Sequence, residues 1–271
     1  MKIAFCTCVQ IGLSCIEAIV ADGGHFDLFL TLHDHKAKKK SGRIYLDEIA
    51  KQTNTPLYKL NHINDSDVAE VLKEYQIDWL FIIGWSQIAS PELLKIPYKG
   101  IIGAHPTLLP TGRGRAAVPW AILKGLDKTG VTFFKMDEGV DTGPILDQFE
   151  IPLSSTETAT ILYQKVNDAH VGLVRQIWPK LLADSIVGRT QDESKASTWE
   201  GRTPADGQLF AHMTVAEVDC MVRATTHPYP GAFLMEGDSK CLIWAGIPGK
   251  TEGKVLNFSD GEYTATEFSY S

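Results

Sequence analysis

The sequence predicts an α/β fold: a doubly wound, mainly parallel sheet followed by a small β-rich C-terminal subdomain. Three observations predict it. Short apolar runs alternate with amphipathic helical stretches from residue 1 to about residue 185. The run at 79–83 is apolar on both faces, as a central parallel strand must be. From Ser185 onward the composition turns polar, Gly-rich and β-favouring. The expected organisation is a first domain over 1–185, a linker over 186–204 and the small subdomain over 205–271.

Each element follows from its local pattern. Residues 2–7 are β-favouring, and 11–20 carry apolar residues at helical spacing before the break Asp22-Gly23-Gly24. A strand at 26–31 precedes a polar, basic loop over 33–42. A short helix follows around 44–52, then an edge strand at 56–60 and a helix over 67–75 with Val68, Val71 and Leu72 on one face. Ser90-Pro91-Glu92 starts a helix, because Ser caps it and Pro at its first position lacks only an N–H that would have no partner there. That helix should end before Gly100. Residues 101–104 are a buried strand, and a helix at about 116–123 follows a Gly/Arg/Pro-rich loop. Strands at 131–136 and 145–151 flank an acidic turn at 137–144, and 158–182 is a long amphipathic helix. In the C-terminal part Thr214-Val215-Ala216-Glu217 reads as a capping box, and runs such as 240–244 are separated by Gly and Pro turns.

Composition narrows the function. With 271 residues, 44% hydrophobic and 22% charged, the chain is neither disordered, nor a coiled coil, nor collagen-like. A net charge of -7 excludes a general nucleic-acid binder, since phosphate contacts need a basic surface. The five cysteines are odd in number and not at paired metal-ligand spacing, which reads as buried thiols in a reducing compartment. The N-terminus has no cleavable apolar region and no run approaches the ~20 apolar residues of a spanning helix, so a cytoplasmic protein with no membrane association is expected.

In open α/β sheets, ligands bind beyond the carboxyl ends of the strands. Three loops occupy such places: Gly84-Trp85-Ser86-Gln87, His105 to Pro119, and Asp137 to Pro144. His105 directly follows a buried strand, and Asp141 sits between Gly139 and Gly143, where its carboxylate could orient the imidazole for acid–base chemistry. Spacing alone leaves another account open, in which His105 caps the turn before Pro106 and Asp141 is one acidic turn residue among several. Arg113 and Arg115 are guanidinium forks suited to a diphosphate or carboxylate, although an Arg in a polar loop is commonly just solvated. His33, His35 and the lysines at 36 and 38–40 read as a solvated face, and no metal is assigned.

Taken together, His105-Pro106-Thr107-Leu108-Leu109-Pro110, Arg113-Gly114-Arg115-Ala116, Trp120, Gly130-Val131-Thr132 and Met136-Asp137-Glu138-Gly139-Val140-Asp141-Thr142-Gly143-Pro144-Ile145 resemble the family of formyltransferases that use 10-formyltetrahydrofolate. Arg202-Thr203-Pro204-Ala205-Asp206-Gly207 and Thr226-His227-Pro228-Tyr229-Pro230-Gly231-Ala232-Phe233 resemble segments that follow the catalytic domain in its sugar and tRNA branches.

The resemblance implies a Rossmann-like fold and a catalytic pair formed by His105 and Asp141. It implies a folate co-substrate, N10-formyltetrahydrofolate, set against Trp85, Ser86, Gln87, Ile88, Leu108, Pro110, Asp137, Glu138 and Gly139, with no metal. At Gly103 the family usually has Asn, whose amide stabilises the oxygen that becomes negative; losing such a donor costs on the order of 3 kcal/mol. A backbone N–H, a water, Thr107 or Gln87 is the expected substitute. For the acceptor, the resemblance implies the primary amine of a nucleotide-linked amino sugar, with Arg113, Arg115, Thr107 and Gln10 near it. Transfer RNA is disfavoured, because residues 186–271 carry 7 Lys+Arg against 12 Asp+Glu. A homodimer is also implied. The alternatives are a 10-formyltetrahydrofolate hydrolase, a methionyl-tRNA formyltransferase and a non-catalytic folate- or nucleotide-binding module.

Overall fold

A computed structural model of the chain describes residues 1–37 and 43–271. In order, the elements are β1 (Ile3–Cys6), α1 (Gln10–Ala21), β2 (Leu28–Leu32), α2 (Asp34–Ala37), α3 (Asp47–Thr53), β3 (Leu57–Leu60), α4 (Ser66–Glu74), β4 (Trp79–Ile82), α5 (Pro91–Leu94), β5 (Gly100–His105), β6 (Arg113–Gly114), α6 (Ala117–Leu123), β7 (Lys128–Lys135), β8 (Ile145–Pro152) and α7 (Ala159–Leu182). Then come β9 (Thr198–Trp199), α8 (Val215–Thr225), β10 (Ala232–Glu236), β11 (Ser239–Pro248), β12 (Lys254–Phe258) and β13 (Gly261–Tyr270). The chain forms two compact units. The first holds Met1–Arg113, Gly130–Ile151 and Val166–Thr198; the second holds Gly114–Thr129, Pro152–Lys165 and Trp199–Ser271.

The first unit carries a seven-stranded sheet in the order β3-β2-β1-β4-β5-β7-β8. Pairing is parallel from β3 through β5, and β7 runs antiparallel to β5. The expected doubly wound, mainly parallel sheet is therefore present, with β3 at its edge. β1, β2 and β4 are buried at every position, which their unbroken apolar runs require. On one face Phe5 stacks on Phe81, and Trp178 of α7 packs against Phe26 and Phe81. On the other, Ala4, Leu30, Leu80 and Ile101 pack with Val68 and Leu72 of α4.

Two elements differ from expectation. Ser90 does cap α5, its hydroxyl accepting from the Leu93 N–H at 3.2 Å, but the helix is a single turn. Pro97 disfavours helical geometry at Ile96 and stops it early. The polar loop predicted from residue 33 opens with the short helix α2, and residues 38–42 of that prediction lie outside the described residues.

The second unit contains a four-stranded antiparallel sheet, β10-β11-β13-β12, covered by α8 through Val218, Val222, Ile243 and Tyr263. The capping box at Thr214 is present: its hydroxyl accepts from Glu217 N–H at 3.2 Å, and Glu217 accepts from Thr214 N–H at 2.8 Å. Asp206 repeats half of that device at Thr203, and the Arg202 guanidinium lies 5.1 Å from the centre of the Trp120 ring. Arg202, Thr203, Pro204 and Gly207 of the first C-terminal motif segment and Tyr229, Pro230 and Gly231 of the second line a cavity of about 230 Å³ in this unit.

His170 on α7 is buried against Phe133, with Nδ1 2.7 Å from the Val166 carbonyl. Burial pulls its imidazole from the ordinary 6.5 down to about 4; the Val166 carbonyl partly offsets this, and nearby His105 reinforces it. Above pH 6.5 the ring is neutral in both folded and unfolded chains. Below 6.5 the unfolded chain takes up a proton that the folded one refuses, so stability falls until about pH 4, by about 3 kcal/mol from this group. Urea unfolding of His170→Gln should therefore show a flatter loss of stability between pH 6.5 and 4 than the wild type. An equally steep loss in the variant would assign the acid sensitivity elsewhere.

Candidate active site

His105 is the last residue of β5, paired with Thr132 of β7, so a strand in the middle of the sheet fixes its backbone. Its side chain is 8% exposed. Nε2 lies 2.7 Å from the Gly112 carbonyl oxygen and Nδ1 lies 3.4 Å from Asp141 Oδ2. A carbonyl only accepts, so the hydrogen on Nε2 is committed to Gly112. Nδ1 faces a carboxylate at a distance long for a charge-assisted bond, which makes it the nitrogen from which a proton can pass to another atom.

The loop after β5 is pinned from beneath. Thr132 Oγ1 donates to the Thr107 carbonyl at 2.7 Å and accepts from Leu109 N–H at 3.1 Å and Gln148 Nε2 at 2.8 Å. Asp141 occupies the left-handed region, φ 58°, in a turn closed by Asp137, whose Oδ1 accepts from Thr142 Oγ1 at 2.6 Å and Gly139 N–H at 3.2 Å. Gly143 has no alternative here, because a Cβ would fall on the Lys135 carbonyl oxygen. The Asp141 turn is thereby pressed against β7.

Segment 189–197 closes the site. Gln191, 5% exposed, donates from Nε2 to the carbonyls of Asp141 and Gly143, both at 2.8 Å. Its Oε1 accepts from Arg113 Nη2 at 2.8 Å and Nε at 3.2 Å. Arg113 is itself held by Glu193 through Nη1 at 2.9 Å and Nη2 at 2.6 Å. Glu193 raises the Arg113 guanidinium above its ordinary value, and Arg113 lowers the Glu193 carboxyl. Arg113, read from the sequence as a fork for a diphosphate or carboxylate or else as a solvated side chain, is thus a buried guanidinium engaged by Gln191 and Glu193.

The other predicted residues divide. Arg115 and Gln10 are exposed, Gln10 reaching Ser14 Oγ at 3.2 Å. Gln87 is committed to the 61–63 loop, accepting from Ile63 N–H at 2.8 Å and donating to the Asn61 carbonyl at 3.2 Å, so it does not supply the missing amide. Trp85 is half-buried with its indole N–H unpartnered, and Ile88 is 70% exposed. Ser86 and Glu138 are exposed; Leu108 and Pro110 are half-buried. Thr107 is buried, and its hydroxyl is also unpartnered. At Gly103, an added Cβ would lie 3.0 Å from Met136 Cγ and 3.1 Å from Phe134 Cζ, so those side chains hold the space an Asn would enter. No cluster of metal-ligating side chains occurs among the described residues. Sequence reasoning missed the Gly112 carbonyl, Gln191 and Glu193; no periodicity or motif marks them.

Comparison with known proteins follows the same lines. Residues 10–177 match the family model of the formyl transferases, and residues 202–266 match that of the formyl transferase C-terminal domain. The chain is similar in structure to an N-formyltransferase from Helicobacter canadensis in complex with folinic acid and dTDP-3-aminofucose, with TM-score 0.74 and 18% identity, covering 98% of each chain. It is also similar to HypX from Aquifex aeolicus in complex with tetrahydrofolic acid, with TM-score 0.73 and 17% identity; 99% of this chain covers 44% of that one. A methionyl-tRNA formyltransferase from Clostridium thermocellum matches with TM-score 0.67 and 18% identity, over 100% of this chain and 99% of that one. At these identities the likeness establishes the fold.

Gly143→Ala must push the Asp141 turn off β7. The expected loss is about 3 kcal/mol of stability in urea unfolding. A variant within about 1 kcal/mol of wild type would show that the turn is not tightly packed.

Proposed function

The chain belongs to the formyl transferase family, and on that premise we propose that it moves the formyl group of N10-formyltetrahydrofolate to the primary amine of a nucleotide-linked amino sugar. The observation that carries the reading is the pair formed by buried His105 and half-buried Asp141, Nδ1 to Oδ2 3.4 Å, at the carboxyl end of β5. The residues present suit a folate. Exposed Ile88 and Val140 lie in the loops after β4 and β7, and the unpartnered Trp85 N–H and Thr107 hydroxyl need polar partners of the kind a pterin edge carries. When bound, the folate supplies the activated formyl carbon.

The chain's own residues do the rest. Nδ1 of His105 presents its hydrogen to the formyl oxygen, where negative charge grows as the amine nitrogen bonds to carbon; it then gives a proton to the departing nitrogen as the carbon–nitrogen bond breaks and regains one from the amine nitrogen, so that one hydrogen passes in all from the amine to the leaving group. Asp141 faces the ring and balances its charge while it does so. Gly112 holds the ring through Nε2, so that loss or gain of the Nδ1 hydrogen does not turn the imidazole. Gly103 offers no side-chain donor, which leaves the Thr107 hydroxyl as the closest replacement the sequence supplies two residues beyond His105.

For the acceptor, the net -5 of residues 186–271 argues against transfer RNA, and the fold does not choose, since HypX, a sugar enzyme and a tRNA enzyme share it. With Arg113 engaged by Glu193, exposed Arg115 is the remaining predicted fork for the diphosphate. A homodimer belongs to the same proposal, and exposed Met235, Ile247, Phe268 and Tyr270 supply apolar surface for it. No helix among the described residues is long and apolar enough to cross a membrane, and the cytoplasm is the proposed compartment.

Incubation of the protein with N10-formyltetrahydrofolate and a panel of UDP-, dTDP- and GDP-linked amino sugars should yield a formylated sugar by mass spectrometry. His105→Ala and Asp141→Ala should each lower turnover by roughly 10²–10⁴-fold. Near-normal rates in either variant would refute the pair. Formate released without an amide would convert the reading to a hydrolase. Binding of a folate analogue without turnover would convert it to a binding module.

A further inference from the structure

We propose that Gln191 is a positioning residue for the reaction, acting through Asp141 in a relay that runs from Glu193 through Arg113 and Gln191 to the turn carrying the catalytic carboxylate. The inference rests on the formyl-transfer reading for its kinetic consequence and on geometry alone for its structural one. Asp141 sits at φ 58°, a conformation that costs an Asp residue energy unless its surroundings hold it. The turn's own bonds, from Gly139 and Thr142 to Asp137, close the loop on itself but do not fix it relative to His105.

Gln191 supplies that second restraint. Its two amide hydrogens reach two carbonyls on either side of Thr142, those of Asp141 and Gly143, each at 2.8 Å. An amide whose two donors are both committed is fixed only if its oxygen is also committed, and Arg113 commits it with two N–H groups. Arg113 in turn cannot rotate, because Glu193 takes both of its terminal nitrogens. His105 joins the same assembly from the other side through the carbonyl of Gly112, the residue before Arg113. The relay therefore sets both partners of the pair with one rigid guanidinium, and a shift of several tenths of an ångström at Gln191 would open the 3.4 Å contact.

The donors are what matter, so two variants separate the possibilities. Gln191→Leu removes donors and acceptor; Gln191→Glu keeps an acceptor for Arg113 and turns carboxylate oxygens on the Asp141 and Gly143 carbonyls. Both should lower kcat 10- to 100-fold while KM for the formyl donor and the amine stays within about 3-fold of wild type. In an Asp141→Asn background, either substitution should lower the residual rate less than 2-fold, since the group being positioned is already gone. Independently of activity, hydrogen exchange of the amides over 138–143 should accelerate at least 10-fold in both variants, with the 214–225 amides unchanged. Wild-type kcat in either variant, full additivity with Asp141→Asn, or unchanged exchange over 138–143 would each overturn the proposal. A wild-type protein inactive on every formyl donor would overturn the formyl-transfer reading instead, and the exchange experiment would still decide the relay.

Discussion

Everything else in the site depends on one imidazole with both nitrogens facing acceptors. His105 ends β5, and a strand end fixes a Cα but leaves a ring free to turn about its own bonds. The Gly112 carbonyl at 2.7 Å removes that freedom on one side, and Asp141 defines the other. Both acceptors lie outside regular structure, so each needs its own support. Gly112 is held by Ser197, whose hydroxyl accepts from the Gly112 N–H at 2.9 Å. Asp141 is held by a glycine-flanked turn packed on β7 and by Gln191. The sheet places the histidine; the loops decide what it can do.

Antiparallel β7 anchors the loop that follows His105. Because β7 runs against β5, it enters beside the carboxyl end of β5, where Thr132 pairs with His105, and leaves beside Ile102; the turn after it reaches back to bring Asp141 to His105. Thr132 then serves twice, as the backbone partner of His105 and, through its hydroxyl, as the anchor of the 107–109 loop. A buried hydroxyl that satisfies one donor and one acceptor of a loop leaves that loop few alternative positions.

The sheet was legible in the sequence because burial on both faces writes an unbroken apolar run, as in β4, and because caps such as Ser90 and Thr214 are local devices read within four residues. The length of α5 was less legible, since the stop came from Pro97 acting on Ile96. The histidine–aspartate pair was visible as one residue at a strand end and one in a glycine-flanked turn, though their distance was not. What the sequence concealed was the state of Arg113. A guanidinium between two glycines looks solvated until the chain returns, about eighty residues later, with Gln191 and Glu193. Those two side chains sit in what composition marked as linker, and nothing local marks a residue whose partners lie that far away.

That concealed relay also bears on how the site tolerates Gly103. With Phe134 and Met136 filling the space beside Gly103, the oxygen that gains charge has no side-chain amide at that position. A site lacking one donor depends more heavily on those that remain, because each misplacement is uncompensated. On the proposed reading the His105 imidazole and the Thr107 hydroxyl are the side-chain donors left, and the orientation of the ring matters more than in a site that also has an amide. An ion pair between buried Arg113 and largely exposed Glu193 is a costly way to hold a turn, since the guanidinium is taken out of water to do it. Its presence 80 residues apart in the chain, on an amide that touches the Asp141 turn directly, is accounted for if precision at that turn is what the chemistry requires.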